Sequence, residues 1–281
     1  LTTEAKELIQ NNLSTLISKE SAIRAISLQG IQMATLSVII ITKNEAESIG
    51  TCLESVTWAD EIIVVDSGST DSTVAICRKY TDKIFLTDWP GFGAQKNRAL
   101  DLATGEWVLS LDADEYITPE LQDEIKAVMT APGEKVAFIM PRLSNYCGRF
   151  MGHSGWWPDY IIRLFLREQG RFSDDLVHER LIVNGPTGTF SNPIIHNAFE
   201  NLEEVIQTIN NYSTAGARMM HEEKRKAGLL TALSHGFWSF VHTYIIRAGF
   251  LDGREGFMLA VSNAEGTYYR YLKLMFMEEK K

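Results

Sequence analysis

The chain has 281 residues, 45% of them hydrophobic and 22% charged, a globular composition with enough apolar mass for a large core. Its 27 Lys and Arg stand against 36 Asp and Glu, a net charge of −9 that argues against life on bulk nucleic acid or anionic lipid but leaves room for a local basic patch. Three cysteines (Cys52, Cys77, Cys147) without C-x-x-C spacing argue against a disulfide scaffold or a cysteine zinc site and favour a reducing, cytoplasmic compartment.

Residues 1–34 read as a polar helical extension. Leu8, Ile9, Leu13, Leu16 and Ile17 make one apolar stripe, with no continuous apolar run of the secretory kind, and no function is assigned to it. Leu36–Ile41 is a β-branched strand followed by Thr42-Lys43-Asn44-Glu45, and the pattern predicts a helix over Ala46–Val56. A second strand, Glu61–Val65, runs into Asp66-Ser67-Gly68-Ser69-Thr70-Asp71, and a helix continues to Tyr80. Lys83–Leu86 is a third strand, Gly93–Ala103 a helix, and Trp107–Leu111 a fourth strand closed by Asp112-Ala113-Asp114. Strands with almost no alternation, separated by helical stretches of about ten residues, indicate parallel strands covered on both faces. The expected fold is therefore α/β, a doubly wound, mostly parallel sheet that carries its ligand at the carboxyl ends of its strands. Three polar loops fall at those ends.

The loop Asp66–Asp71 has two readings: a turn in which Ser69 or Thr70 caps the next helix, or a nucleoside contact through Asp66. No G-x-G-x-x-G and no G-x-x-x-x-G-K-[ST] occurs, which removes the conventional dinucleotide fingerprint and the P-loop. In Asp112-Ala113-Asp114, residues two apart in an extended segment point to one side. Two such carboxylates repel unless a cation neutralises them, and a hard divalent ion completed by diphosphate oxygens and water is the natural solution. The competing reading is an acidic turn. Lys96 and Arg98, after the turn Pro90-Gly91-Phe92-Gly93, suit either phosphate or a solvated helix face.

The combination LSVIIITKNEAESI, EIIVVDSGSTDST and GFGAQKNRALDLATGEWVLSLDADE resembles the nucleotide-binding half of the family 2 nucleotide-sugar glycosyltransferases of the GT-A fold. With residues 141–199 and the GFLDGREGF segment, the likeness extends over most of 36–275 and is greatest to the bacterial lipopolysaccharide-core β-1,4-glucosyltransferase subgroup. The resemblance implies a nucleotide-sugar site of Thr42, Asn44, Glu45, Asp66, Asp71, Lys96 and Asp112. It implies Mn2+ or Mg2+ on Asp114; His196 either completes that metal site or contacts the diphosphate, with a purely structural imidazole as the competing reading. A departing nucleoside diphosphate develops negative charge, which such a Lewis acid relieves. The catalytic base it implies is Glu179, in Asp174-Asp175-Leu176-Val177-His178-Glu179, with Asp175 as competitor; the Glu-Asp pair more usual in the family is missing. Inversion at the anomeric carbon follows from the resemblance alone.

Further along, His153-Ser154-Gly155-Trp156-Trp157-Pro158-Asp159 is an aromatic, glycine-containing loop before the strand Tyr160–Leu166. Trp156 and Trp157 suit sugar stacking, with core packing as the alternative, and Arg163 and His178 join them as acceptor-side candidates. Lys224-Arg225-Lys226 precedes twenty residues without Asp, Glu, Lys or Arg, Ala227–Ile246. Its polar interruptions favour an amphipathic helix over a membrane span, with Leu229, Leu230, Leu233, Phe237, Phe240, Val241, Tyr244 and Ile245 on one face. That face either packs on the sheet domain or lies on a membrane surface, and a second helical hairpin is expected after Gly249.

The expected organisation is an extension (1–34), a catalytic domain (35–200; nucleotide-sugar part 35–124, acceptor part 125–200) and a helical region (201–281). The expected activity is metal-dependent, inverting transfer of a hexose, glucose first among candidates, from a UDP-sugar to a lipopolysaccharide-core or other membrane-associated glycan. A sugar nucleotidyltransferase and a non-catalytic glycan-binding module are the competing classes. No nucleic-acid partner is expected. The expected location is cytoplasmic, with a peripheral position on the inner face of the membrane as an open alternative.

Overall fold

Every residue of Leu36–Thr42 (β1) and Glu61–Asp66 (β2) is buried, as β-branched strands covered on both faces must be. In this computed structural model, which describes residues 34–173 and 179–278, β1 lies parallel to both β2 and Trp107–Asp112 (β4). The register pairs Thr42 with Asp66 and Ile41 with Asp112, so three strands end level and their polar loops meet at one edge. Ile84–Leu86 (β3) extends this parallel part beyond β2. Ile49–Glu54 (α1) starts later than its sequence pattern suggests, because the loop before it is held by bonds to the loop after β2, and Thr73–Cys77 (α2) stops short of Tyr80. Phe92–Leu102 (α3) packs on β1 and β2. Its Ala99 and Leu100 join Ile39, Ile41, Ile63, Val65, Val108 and Phe165 in one core cluster.

Beyond β4 the sheet changes character. Glu115–Ile117 (β5), the helix Pro119–Thr130 (α4), Ala137–Tyr146 (β6), Arg149–Phe150 (β7) and Asp159–Leu166 (β8) follow in sequence. Then come Gly170–Phe172 (β9), Leu181–Val183 (β10), Thr187–Thr189 (β11) and Ile194–Phe199 (β12). The strand order β3-β2-β1-β4-β8-β6-β12-β5 forms a mixed sheet, with β7 and β11 also paired to β6 and a separate β9–β10 ribbon. β8 runs antiparallel to both β4 and β6, and β5 antiparallel to β12. This corrects the expected mostly parallel sheet. No crossover helix separates β6 from β8, so the chain turns back and pairs antiparallel.

Leu202–Glu222 (α5), Leu229–Val241 (α6) and Gly253–Glu278 (α7) form the helical extension, α5 and α6 both packing on α7. Asn201 caps α5 by accepting from the Glu204 amide at 3.0 Å. A π-helical turn, His242–Ile246, and a 3-10 turn, Gly249–Asp252, join α6 to α7. The region after Gly249 is thus one long helix rather than a hairpin. Among the described residues no helix is long and apolar enough to cross a membrane. The expected N-terminal helix, and the candidates Asp175 and His178, lie outside the described residues.

Candidate active site

The loops after β1 and β2 are bound to each other side chain by side chain. Asn44 sits in the left-handed region (φ 56°), where its amide donates to Ser69 Oγ at 2.8 Å and its Oδ1 accepts from the Thr70 amide at 2.8 Å. The Glu45 amide donates to Thr73 Oγ1 at 2.8 Å, and the Ala46 amide donates to Asp71 at 3.2 Å. Ser69 and Thr70 therefore brace the neighbouring loop instead of capping α2. It is Asp71 that accepts from the Thr73 amide at 3.0 Å, and its hydrogen bonds with Thr73 hold the carboxyl below its ordinary range. Asp66 is buried, and its carboxylate accepts from the Gly68 and Ser69 amides at 2.9 Å and from the Ser69 hydroxyl. In this structure both Asp66 oxygens build the loop. Asn44 and Asp71 likewise act between loops.

At the level strand ends lies a cavity of about 500 Å³ lined by Thr42, Lys43, Glu45, Asp112, Ala113, Asp114 and His196, with Trp89 and Phe92 on one wall. Thr42 is buried in this lining, and its hydroxyl has no hydrogen-bond partner among the described residues. Burial, with the charges of Asp114 and Asp71 added, pushes the Glu45 carboxyl up to about 7. The sequence reading passed over Trp89 and Phe92, whose rings meet edge to face at 4.8 Å; the signal was the aromatic content of the glycine-rich turn itself.

Asp112 and Asp114 part company. Because Ala113 and Asp114 form a turn rather than a strand, the two carboxylates are not left to share one cation. Lys96 Nζ sits 2.8 Å from Asp112, and Arg163 holds the other carboxylate oxygen. Burial opposes the Asp112 charge, yet these two cations outweigh it and keep the carboxyl far below its usual range. Lys96 is only 3% exposed and also binds Glu179 Oε1 at 3.0 Å. It is a junction between two carboxylates. Arg163 is buried too, bonded to Glu115 Oε1 at 2.6 Å as well as to Asp112. It stands behind Asp112 rather than in the cavity lining. β8 lies between β4 and β6, so its inward side chain meets the carboxylates of β4 and β5.

Asp114 Oδ2 lies 3.2 Å from His196 Nε2, and Ser144 Oγ is 2.9 Å from His196 Nδ1, orienting the ring. This is a carboxylate and an imidazole, both partly exposed at the cavity, a donor set suited to a divalent cation. Among the described residues no group of three or more His, Cys, Asp or Glu side chains converges as a metal site. A cation on Asp114 and His196 would therefore take its remaining ligands from substrate oxygens and water.

His196 also belongs to a second cavity, of about 600 Å³, lined by Arg142, Ser144, Gly155, Trp156, Pro158, Asp159 and Tyr212. Tyr212, from α5, stands in both cavities. Trp156 meets Tyr146 edge to face at 5.7 Å, so it shares the core as well as the cavity wall, whereas Trp157 lines neither cavity. Asp159 is paired with Arg142 at 2.6 Å. Arg142 and Tyr212 join this lining without having stood out in the sequence. Tyr212 carries no local motif, being brought to the site only by the docking of α5. Glu179 lines neither cavity; it is reached from the first through Lys96. Gly93 makes this approach possible, since a Cβ there would lie 1.9 Å from the Ser173 carbonyl oxygen and 3.3 Å from Glu179 Cβ.

The sequence profile "Glycosyl transferase family 2" matches residues 37–183, which contain the three loops and Glu179. The chain belongs to glycosyl transferase family 2. It is 28% identical over 254 residues to an uncharacterized glycosyltransferase of Rickettsia typhi, covering 86% of this chain and 87% of that one. It is equally 28% identical over 249 residues to the lipopolysaccharide core biosynthesis glycosyltransferase LpsC of Rhizobium meliloti, covering 84% and 89%. Among solved structures, S. aureus TarS (residues 1–349) aligns with a TM-score of 0.41 and 17% identity over 88% of this chain and 92% of that one. As a member of this family the chain has a GT-A-like α/β fold, here with a helical C-terminal extension, and its activity is sugar transfer.

Proposed function

We propose that this family 2 enzyme transfers a hexose, glucose first among candidates, from a UDP-sugar to a saccharide hydroxyl of a membrane-associated glycan, with inversion. The observation that carries this reading is the Asp114–His196 pair standing where two cavities meet, one for the donor and one for the acceptor. The likeness to a lipopolysaccharide-core enzyme along most of both chains supports the acceptor class.

In this reading the first cavity takes the nucleoside diphosphate. Thr42 supplies a hydroxyl in need of a partner, Glu45 a polar wall, and Trp89 and Phe92 flat apolar surface. Asp114 and His196 would hold Mn2+ or Mg2+, which supplies positive charge for the departing diphosphate. Asp112 faces the donor sugar, fixed by Lys96 and Arg163 so that it cannot swing with substrate. The acceptor enters the second cavity, where Trp156 and Tyr212 offer stacking surface and Asp159 and Arg142 fix hydroxyls. The family likeness makes Glu179 the base for the attacking hydroxyl; Lys96 holds its carboxylate outside both cavities, so this role requires substrate binding to bring it to the acceptor.

Titration calorimetry with UDP tests the donor side. Binding is expected to need Mn2+ and to be lost in Asp114→Ala; binding that ignores both would overturn the reading. Mass spectrometry of products from a panel of nucleotide sugars and core oligosaccharides then identifies sugar and acceptor. Glu179→Gln is expected to abolish transfer while retaining UDP binding.

A further inference from the structure

The helix α6 is turned inside out. It buries Ala232 and Gly236, and a Cβ on Gly236 would lie 3.2 Å from Tyr268 Cβ and 3.3 Å from the Ala264 carbonyl oxygen of α7. Small residues let the two helices approach, so the large ones face away. Leu230 is 82% exposed and Phe237 72%, and Leu229, Leu233, Trp238, Ile245 and Ile246 are all exposed with them. The sequence left open whether this face packs on the sheet domain; these side chains do not.

The stripe continues past the end of α6. Phe240, Tyr244 and Phe257 form an aromatic cluster with ring centroids 5.5–5.7 Å apart, and Phe250 meets Tyr244 at 6.3 Å. Phe250, Leu251 and Phe257 are themselves exposed. A monomer in water does not ordinarily leave so large an apolar surface uncovered.

Charge says what covers it. From Lys224 to Arg254 the chain holds five basic residues, Lys224, Arg225, Lys226, Arg247 and Arg254, against a single carboxylate, Asp252, which is buried. Arg254 pairs with Glu255, and Arg225 lies 3.9 Å from Glu223. Among the described residues no ion pair engages Lys224, Lys226 or Arg247. An otherwise acidic protein thus concentrates positive charge around its exposed apolar face, with Trp238 between. A second copy seated face to face would bring this basic rim against itself. An anionic bilayer complements both the rim and the face, and α6 is too short to cross it.

We propose that the outer face of α6 and the turns up to Phe257 is a docking surface for an anionic phospholipid bilayer, lying in the plane of the headgroups. The same segment grips the loop of the acceptor cavity. Asp252 accepts from the Gly152 amide (3.1 Å), the His153 amide (3.0 Å), His153 Nδ1 (3.0 Å) and Ser154 Oγ (3.0 Å). The Ser154 amide donates to the Arg247 carbonyl at 2.8 Å. Two residues on, Gly155 and Trp156 line the second cavity. Docking would therefore set that cavity at the membrane surface, where the sugar of a lipid-anchored acceptor lies. This last step rests on the acceptor reading given above; the docking surface itself does not.

Co-sedimentation of the full chain with vesicles tests the proposal without turnover. Binding to phosphatidylcholine vesicles containing phosphatidylglycerol is expected to exceed binding to phosphatidylcholine alone, and to weaken as salt rises. The double variant L230S/F237S is expected to lose about tenfold in vesicle affinity, and K224E/K226E to lose the preference for anionic vesicles. Both variants should bind UDP with Mn2+ as the parent does, which shows that they fold and separates this result from any failure of the donor reading. Vesicle binding absent in the parent, or unchanged in L230S/F237S, would overturn the proposal. So would a parent dimer in light scattering that becomes monomeric in that variant, since the occupant would then be a second copy.

Discussion

The strand-end half of the molecule and the helix α6 bury opposite kinds of residue. In β1, β2 and β4 the large apolar side chains go inside, and polar loops are left at the strand ends. In α6 the small residues go inside and Leu230, Phe237 and Trp238 face out. The difference lies in what each element packs against. A strand in a covered sheet has no outside, whereas a helix has a choice of face, and close approach to α7 gives that choice to Ala232 and Gly236. An apolar residue inside β1, β2 or β4 is there for stability, whereas those on the outer face of α6 are, in our proposal, there for a surface the protein meets.

A matched pair of truncations sharpens this at its largest. Leu109, fully buried in β4, should cost about 2–5 kcal/mol when changed to Ala, measured by urea denaturation. The strand ends test the other aspect of the same half, chemistry instead of packing. Asp114→Ala should lower transfer by roughly 10²-fold or more, because several kcal/mol of charge stabilisation depend on the cation it would hold, while the melting midpoint stays near the parent value. A chelator should mimic the variant, and added Mn2+ should rescue the parent but not the variant.

That division also explains how much could be read in the sequence. β1 to β4, with their loops at one edge, were legible because parallel strands announce themselves by unbroken apolar runs and register does the rest. Asp114 and His196 were legible as a pair only through the family resemblance, since 82 residues separate them and their meeting depends on β12 pairing with β5 and β6. The ion pairs of Arg163 were not legible because the antiparallel entry of β8 beside β4 leaves no local signal, and those of Lys96 because nothing nearby in sequence shows that Asp112 and Glu179 converge on it. Tyr212 is brought to the cavities by the docking of α5, which no motif encodes. For α6 the helical period was plain, but the period does not say which face is inside.

Glu61 shows the strand half using charge in the same inward way. It is buried at the start of β2 and accepts from the Thr104 amide at 2.9 Å, the Thr104 hydroxyl at 3.1 Å, Ser37 Oγ and Lys83. Burial alone would raise its pKa, but Lys83, Ser37 and Thr104 outweigh it and hold the carboxyl at about 2. A folded-state pKa below the unfolded one contributes stability that is present above about pH 4.5 and is lost as pH falls towards 2. Glu61→Gln should therefore cost about 2 kcal/mol at neutral pH and progressively less on acidification, followed by denaturant midpoints across that range.

Where the two regions join, Asp252→Asn should loosen the 152–154 loop beside the second cavity, proposed for the acceptor, without touching the first, proposed for the donor. The substitution removes an acceptor from a carboxylate that takes four bonds. The acceptor KM should rise about tenfold with kcat little altered and UDP affinity unchanged. An equal loss in UDP affinity would mean that the loop supports the whole site and that the two cavities are not separable.

The smallest expected effect is the most pointed. Phe237→Ser removes a large aromatic side chain, a change that would be ruinous in β4. Phe237 is mostly solvent-exposed, however, so its truncation deletes little buried area and creates no cavity. Unfolding free energy in the absence of lipid should shift by less than about 0.5 kcal/mol. A loss of several kcal/mol would mean that the side chain is covered in solution, and the contrast between the two regions would fail at α6. A neutral result together with lost vesicle binding would separate what this residue does for the fold from what it does for the protein's surroundings.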